Sequence, residues 1–312
     1  MSAKLEESVP VNKQGIKKTR FKKSLETRNF YLFILPFFLL FLLFNAIPII
    51  SSLFLGFTVW DGFSAPTFIG LENYIQLFKD QIFLKSIYNT LFIWFFSTIL
   101  TLGLAFFLAF SINEYMRKAK SFYQMVFLFP LLVAPALTSI IVGILFSSNS
   151  GLINAFLSLF ADDPVTINWL DSTFWIKPII VLMIVWRWTG WHMIIFLAGL
   201  QTIPKDLYEA ARIDGAKGFQ IIRSITLPLM APIILVSLVT ATTGGIQLFD
   251  EPFVLTNGTG GTLQSGMTMG MYLYNTAFKD FNFGLASAIS YVLFGLILIV
   301  TLINSKFLNK KE

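Results

Sequence analysis

Six long, nearly uncharged stretches divide this chain, at roughly 30–50, 91–113, 122–146, 175–200, 225–248 and 283–305, and only the fourth contains charges, Lys177 at its outer edge and Arg187 near its middle. About 20 consecutive apolar residues cross the hydrocarbon core of a bilayer as a helix. In that solvent the backbone must satisfy its own hydrogen bonds, which leaves helices or a closed barrel. The expected fold is therefore all-α, a polytopic membrane protein with about six transmembrane helices. Composition agrees, with 55% hydrophobic and 13% charged residues, against about 25% charged in an ordinary soluble domain. The first stretch follows the basic segment "KKTRFKK", as a secretory signal would. Its apolar part is longer than the roughly 7–15 residues of such a signal and no small-residue cleavage site follows, so it reads as an uncleaved span.

Charge fixes the orientation. Eighteen of the 23 Lys and Arg residues lie in the amino-terminal tail, the 114–120 loop, the 201–223 loop and the carboxyl tail. The alternate loops hold only Lys79, Lys85, Lys177 and Lys279. By the positive-inside rule both termini are cytoplasmic. The net charge of +6 is then explained by topology and contact with anionic membrane lipid, and no nucleic-acid partner is implied. The chain has no cysteine and the single histidine His192, which excludes a disulfide framework and a multi-histidine metal cluster.

The expected organisation is a basic, flexible cytoplasmic tail at 1–28, a membrane domain at 29–306 and a short cytoplasmic tail at 307–312. In the first outer loop, Leu71, Tyr74, Ile75, Phe78 and Ile82 fall near helical spacing, as in an amphipathic helix lying at the interface. The outer loops at 147–173 and 250–280 are rich in Asp, Asn, Gly and Ser, which suits them to receive a partner.

The cytoplasmic loop 201–223 is more specific. From Pro204 the sequence enters a helix with Asp206 and Glu209 near its positive end. The small side chains of Ala210 and Ala211 let a second backbone approach, and Gly215 can adopt the positive φ that ends a helix. A short amphipathic helix followed by a glycine break is a docking surface. No phosphate-binding G-x-x-x-x-G-K-[ST] loop occurs in the chain, so any ATP is bound elsewhere.

Polar residues at membrane depth mark a pathway. The fourth span offers "VWRWTGWHM", with Trp188, Trp191 and His192 on roughly one side of a helix. Sugars present both hydroxyls and apolar C–H faces, and rings beside hydrogen-bonding groups suit them. The fifth span ends in "TTGGIQLFDEPF", where paired glycines weaken the helix, and a broken helix can line a cavity. Arg187 at mid-span requires a counter-ion. Asp250 or Glu251 can supply it, and Arg187 with Asp250 is the candidate intramembrane ion pair.

Glu209-Ala210-Ala211, Asp214-Gly215-Ala216 and Leu227-Pro228 resemble the EAA loop of ABC-transporter permeases. Gly70-Leu71-Glu72-Asn73-Tyr74 with Asn89-Thr90, "FLAGLQTIPKDLYEAARIDGA" and "FVLTNGTG" extend the resemblance to roughly residues 30–305, in the carbohydrate, maltose-permease-like branch of binding-protein-dependent importers. The resemblance implies a bacterial, multi-pass cell-membrane permease that is not itself an enzyme and carries no cofactor. Its implied partners are a second homologous permease, two subunits that bind ATP and Mg, and an extracellular or periplasmic solute-binding protein. Carried over, Glu209 makes a charged contact with the ATP-binding subunit, Ala210 and Ala211 pack against it, and Asp214 and Gly215 form the turn. Thr243, Gly244, Gln247 and Glu251 match the span that contributes to the sugar site. The rival readings are a permease for glycerol-3-phosphate or another anionic solute, which Arg187 would suit, and a secondary transporter or channel, which would need an intramembrane ion relay.

Overall fold

The first apolar run begins its helix well before the bilayer-length segment. In a computed structural model describing residues 13–116, 119–149 and 151–309, α1 covers Lys13–Phe41, a π-helical turn covers Leu42–Ala46 and α2 covers Ile47–Leu55. Residues 13–28, expected as a flexible tail, are thus helical, while residues 1–12 and 310–312 of the two tails lie outside those described. Apolar side chains face outward all along this helix from Phe30 to Phe54, the pattern of a segment whose solvent is lipid or another apolar surface.

The chain divides into two units, Met1–Phe54 and Leu55–Glu312. The second opens with a two-stranded antiparallel ribbon, β1 (Thr58–Val59) and β2 (Thr67–Phe68), with Thr58 opposite Phe68. Helix α3 (Glu72–Lys79) is pinned to it by Asn73, whose side-chain amide donates to the carbonyls of Gly56 and Thr58 at 3.0 and 2.9 Å. Helix α4 (Gln81–Tyr115) follows after one residue. Asp80 separates them because its carboxylate accepts from the backbone N–H groups of Ile82 and Phe83, at 2.7 and 3.2 Å, as a helix N-cap does. The single amphipathic helix expected through Ile82 is therefore two helices.

The third apolar run departs most from expectation. It is broken into α5 (Lys120–Leu132) and α6 (Pro135–Leu145), which meet at 89°. Pro135 is the cause: the residue before a proline is pushed out of the helical region, and Val133 and Ala134 are extended, with ψ of 129° and 139°. Then come α7 (Leu152–Ser158), α8 (Ile176–Leu200), α9 (Lys205–Ile213), α10 (Gly218–Ile221), a π-helical turn (Ile222–Thr226), α11 (Leu227–Ile246), α12 (Asp250–Leu255), α13 (Met269–Phe278) and α14 (Phe283–Asn309). Among the described residues, five helices are long and apolar enough to cross a membrane, or six if the bent pair is one span.

Helix α8 is the axis. Its apolar window is 61% buried inside the protein, against 28% for α4, and α4, α5 and α11 all pack on it. The face of α4 turned inward is made of small and hydroxylated residues, among them Ser97, Thr98, Thr101, Ala105 and Ala109, which let helices approach closely in lipid. At Gly190 on α8 the approach of α5 is closest: a β-carbon there would sit 1.9 Å from the carbonyl oxygen of Phe127.

Candidate functional site

Two constructions stand at opposite ends of α11. The first is the 201–223 loop. Pro204 is extended, with ψ of 134°, and α9 begins at the next residue with Asp206 in its first turn and Arg212 in its last. Both charges complement the helix dipole. The end of α9 is a Schellman motif: Gly215 takes φ of +77°, its N–H bonds the Arg212 carbonyl at 3.1 Å, and the Ala216 N–H reaches back to Ala211 at 2.9 Å. Gly215 is thus the turn the sequence suggested. Glu209, Ala210 and Asp214 are exposed, Ala211 is half-buried and α9 has no fully buried residue. A polar cleft of about 750 Å³ lies between α9 and the neighbouring helix ends, lined in part by Glu114, Lys120, Lys205, Glu209 and Arg212.

The second construction is a small pocket between α4, α8 and α11, of about 60 Å³. Helix α8 contributes Ile184, Trp188, Trp191 and His192; α11 contributes Thr240, Ala241, Gly244 and Gly245; and Leu248 completes that side. Of the residues singled out from sequence, Trp188, Trp191, His192 and Gly244 therefore come together. Thr243, Gln247 and Glu251 do not line the pocket: the Thr243 hydroxyl bonds the Val239 carbonyl of its own helix and Gln247 is exposed. The third wall, Ser97, Thr98 and Thr101 of α4, was missed. Hydroxyls at i, i+1 and i+4 inside the apolar run "FFSTILTLGL" were the available signal.

Two of the residues lining this pocket carry polar atoms with no protein partner among the described residues: Nδ1 of His192 and Oγ1 of Thr101 are buried and unbonded. Leaving such groups unpaired is costly, and two of them on the lining of one cavity are what a hydrogen-bonding ligand would relieve. The lining residues include no Asp, Glu, Lys or Arg.

Arg187 does not open into this pocket. Its Nη1 meets Oε1 of Glu251 at 2.8 Å, with the two side chains only 12% and 5% exposed, and its guanidinium lies 5.8 Å from the Trp188 ring centre. The counter-ion is Glu251, which corrects the expected Asp250. Both acids occupy the first turn of α12, where successive side chains diverge by about 100°. Glu251 turns inward, where its backbone carbonyl also accepts from the Ser139 hydroxyl of α6 at 3.0 Å, and Asp250 faces outward.

Comparison with known proteins agrees with this architecture. The family described as "Binding-protein-dependent transport system inner membrane component" matches residues 102–309. The lactose transport system permease protein LacF of Rhizobium radiobacter is 35% identical over 271 residues, covering 85% of this chain and 89% of that protein. The trehalose/maltose transport system permease protein MalF of Thermococcus litoralis is 34% identical, covering 90% and 94%. Among solved structures, a chain of a bacterial alginate ABC transporter, crystallised with an alginate pentasaccharide-bound periplasmic protein, superposes with a TM-score of 0.78 at 24% identity over 91% of this chain and 95% of that one. The family match over two thirds of the sequence, together with relatives of this identity over nearly the whole length, makes this chain a member of the binding-protein-dependent transport system inner membrane components, a multi-pass permease subunit.

Proposed function

We propose that the chain is the permease subunit of an ATP-driven importer for a neutral di- or oligosaccharide delivered by an external solute-binding protein. The observation that carries this reading is the pocket between α4, α8 and α11. It offers two indole rings for the C–H faces of a sugar, unpaired hydrogen-bonding atoms on His192 and Thr101 for its hydroxyls, and no charged lining residue. The sugar cargoes named for the relatives support it. Neutral cargo is favoured over an anion because Arg187 is already neutralised by Glu251.

At about 60 Å³ the pocket is far below the ~300–1,000 Å³ of a typical ligand site. A sugar is therefore admitted when the helices around it separate. The work comes from outside the chain: two partner subunits bind ATP and Mg, and dock on the exposed face of α9 through Glu209, Ala210 and Ala211. A second, related permease completes the path. The loop 201–223 and both termini lie on the cytoplasmic side, and the outward apolar faces of the spans contact lipid or that second permease.

The test is uptake by the complex purified with its partners and reconstituted in liposomes, using radiolabelled lactose, maltose and trehalose. Trp188→Ala and Trp191→Ala are expected to lower uptake while the amount of assembled complex and its basal ATP hydrolysis stay near normal. Unchanged uptake of each of these sugars that the unmodified complex imports would remove the two rings from the pathway.

A further inference from the structure

Helix α9 meets the membrane helices through Tyr208 and, more openly to water, through Arg212. Tyr208, on the inward side of α9, packs against a buried cluster that includes Ala105, Met193, Phe196 and Met230. Its hydroxyl is hydrogen-bonded to Oγ1 of Thr226 at 3.2 Å. Thr226 is fully buried and is the last residue of the π-helical turn Ile222–Thr226, directly before α11. A second polar link from α9 to the spans is Arg212 with Glu114 of α4, at 3.6 Å with the arginine side chain 63% exposed. An ion pair so open to water contributes little.

The π-helical turn is itself informative. The Leu227 N–H bonds the Ile222 carbonyl five residues back, and the next residue, Pro228, has no N–H to offer. A π turn is a wide turn with one residue too many for an α-helix, and such insertions concentrate at functional positions. If the extra residue is passed along, the helix beyond it advances by about 1.5 Å and turns by about 100° without the span unfolding. The helix beyond it is α11, whose Thr240, Ala241, Gly244 and Gly245 form one wall of the pocket. That wall begins 14 residues beyond Thr226, about 21 Å along a helix.

We infer that the Tyr208–Thr226 hydroxyl pair is the joint through which movement of the docking helix is delivered to α11, with the π-helical turn as the element that yields. This rests on the docking reading of α9 and adds to it the residue contact and the helix that receive the motion. Tyr208 and Thr226 are positioning residues: neither lines the pocket, and both act through α11.

The native chain has no cysteine, so a pair of spin labels can be placed on it with no background from this chain, the partner subunits being used with their own cysteines replaced. Labels at Leu100→Cys on α4 and Val236→Cys on α11, both exposed positions, report the separation of these helices. The measurement uses the complex with its partner subunits in nanodiscs, before and after trapping with ATP, Mg and vanadate. With the joint intact, trapping is expected to change the distance. In Tyr208→Phe and in Thr226→Val the change is lost although the ATP-binding subunits remain bound and still trap nucleotide. The double variant behaves like either single one, and Thr226→Ser, which keeps the hydroxyl, behaves like the native chain. A full ATP-driven change in Tyr208→Phe would overturn the inference, as would loss of the change in Thr226→Ser. A Glu209→Ala complex that keeps its ATP-binding subunits and shows the full change would instead remove α9 from the docking surface, and the joint with it.

Discussion

The 201–223 loop and the pocket stand at opposite ends of α11 and are built on opposite rules. Every feature of the loop lies within residues 204–216: an extended proline that starts α9, a short helix and a glycine at φ of +77° that ends it. Its outer face is left uncovered, with Glu209 and Ala210 exposed. The pocket has no contiguous segment at all. Thr101, His192 and Gly244 come from three helices and meet only because those helices pack in one register. A surface that awaits a partner needs only correct local conformation, since the partner brings the complementary half. A cavity needs the tertiary structure first, so its residues are constrained by packing as well as by chemistry.

That contrast can be broken by experiment. The largest effect is expected at the ion pair beside the pocket. Arg187→Gln or Glu251→Gln alone strands a buried charge, which costs about 3–5 kcal/mol, read as loss of monodisperse permease after detergent extraction. The double variant, Arg187→Gln with Glu251→Gln, is expected to recover most of the yield and to retain disaccharide uptake. An Arg187→Gln protein that folds normally but transports nothing would place the guanidinium in the pathway and revive an anionic cargo.

Next comes the docking face. Glu209→Ala should remove about 2–5 kcal/mol of contact with the ATP-binding subunit, so that this subunit is lost on purification while the permease keeps its helices by circular dichroism. Retention of the subunit would mean that the loop, for all its local order, is not the surface the partner reads. A smaller effect is expected at the wall contributed by α4. Thr101→Val removes a buried hydroxyl without a protein partner, so permease yield should hold or rise. Apparent affinity for sugar should fall about fivefold, the loss of one hydrogen bond of ~1 kcal/mol. A loss of yield with unchanged affinity would make that hydroxyl structural. The smallest effect is expected for Glu114→Gln. Its ion pair with Arg212 is largely exposed and pairs of that kind are worth about 0–1 kcal/mol, so uptake should stay within twofold of native.

The same contrast decides what could be read from the chain before folding. The loop was legible nearly residue by residue, because helix start, helix stop and exposed face are all local properties. The pocket was legible on α8, where Trp188, Trp191 and His192 fall on one side of one helix. On α4 the only signal was the run of hydroxyls Ser97, Thr98 and Thr101 inside an apolar stretch, and their place in the pocket comes from the helices packed opposite. The choice of Asp250 over Glu251 failed for a related reason. Adjacent acids cannot be told apart until the first turn of α12 is set against α6 and α8, where Glu251 is buried against Arg187 and Asp250 is left exposed. Helix count came through hydropathy, but helix shape did not. The run at 122–146 satisfies every compositional test of a straight span, and its break lies in backbone preferences around Pro135 that hydropathy does not weigh.

That break has a consequence for how the protein is made. Where α6 meets α12, the Ser139 hydroxyl is held by the carbonyl of Glu251, 112 residues later in the chain. At ribosomal speeds of about 5–20 residues per second, roughly 6–22 s separate the emergence of the two. During that interval the run 122–146 has the length and hydropathy of an ordinary span and no partner for the exposed backbone at its elbow. The 89° bend is set locally at Pro135, and its fastening to α12 is a late event of biogenesis, made only once the last fifth of the protein has arrived.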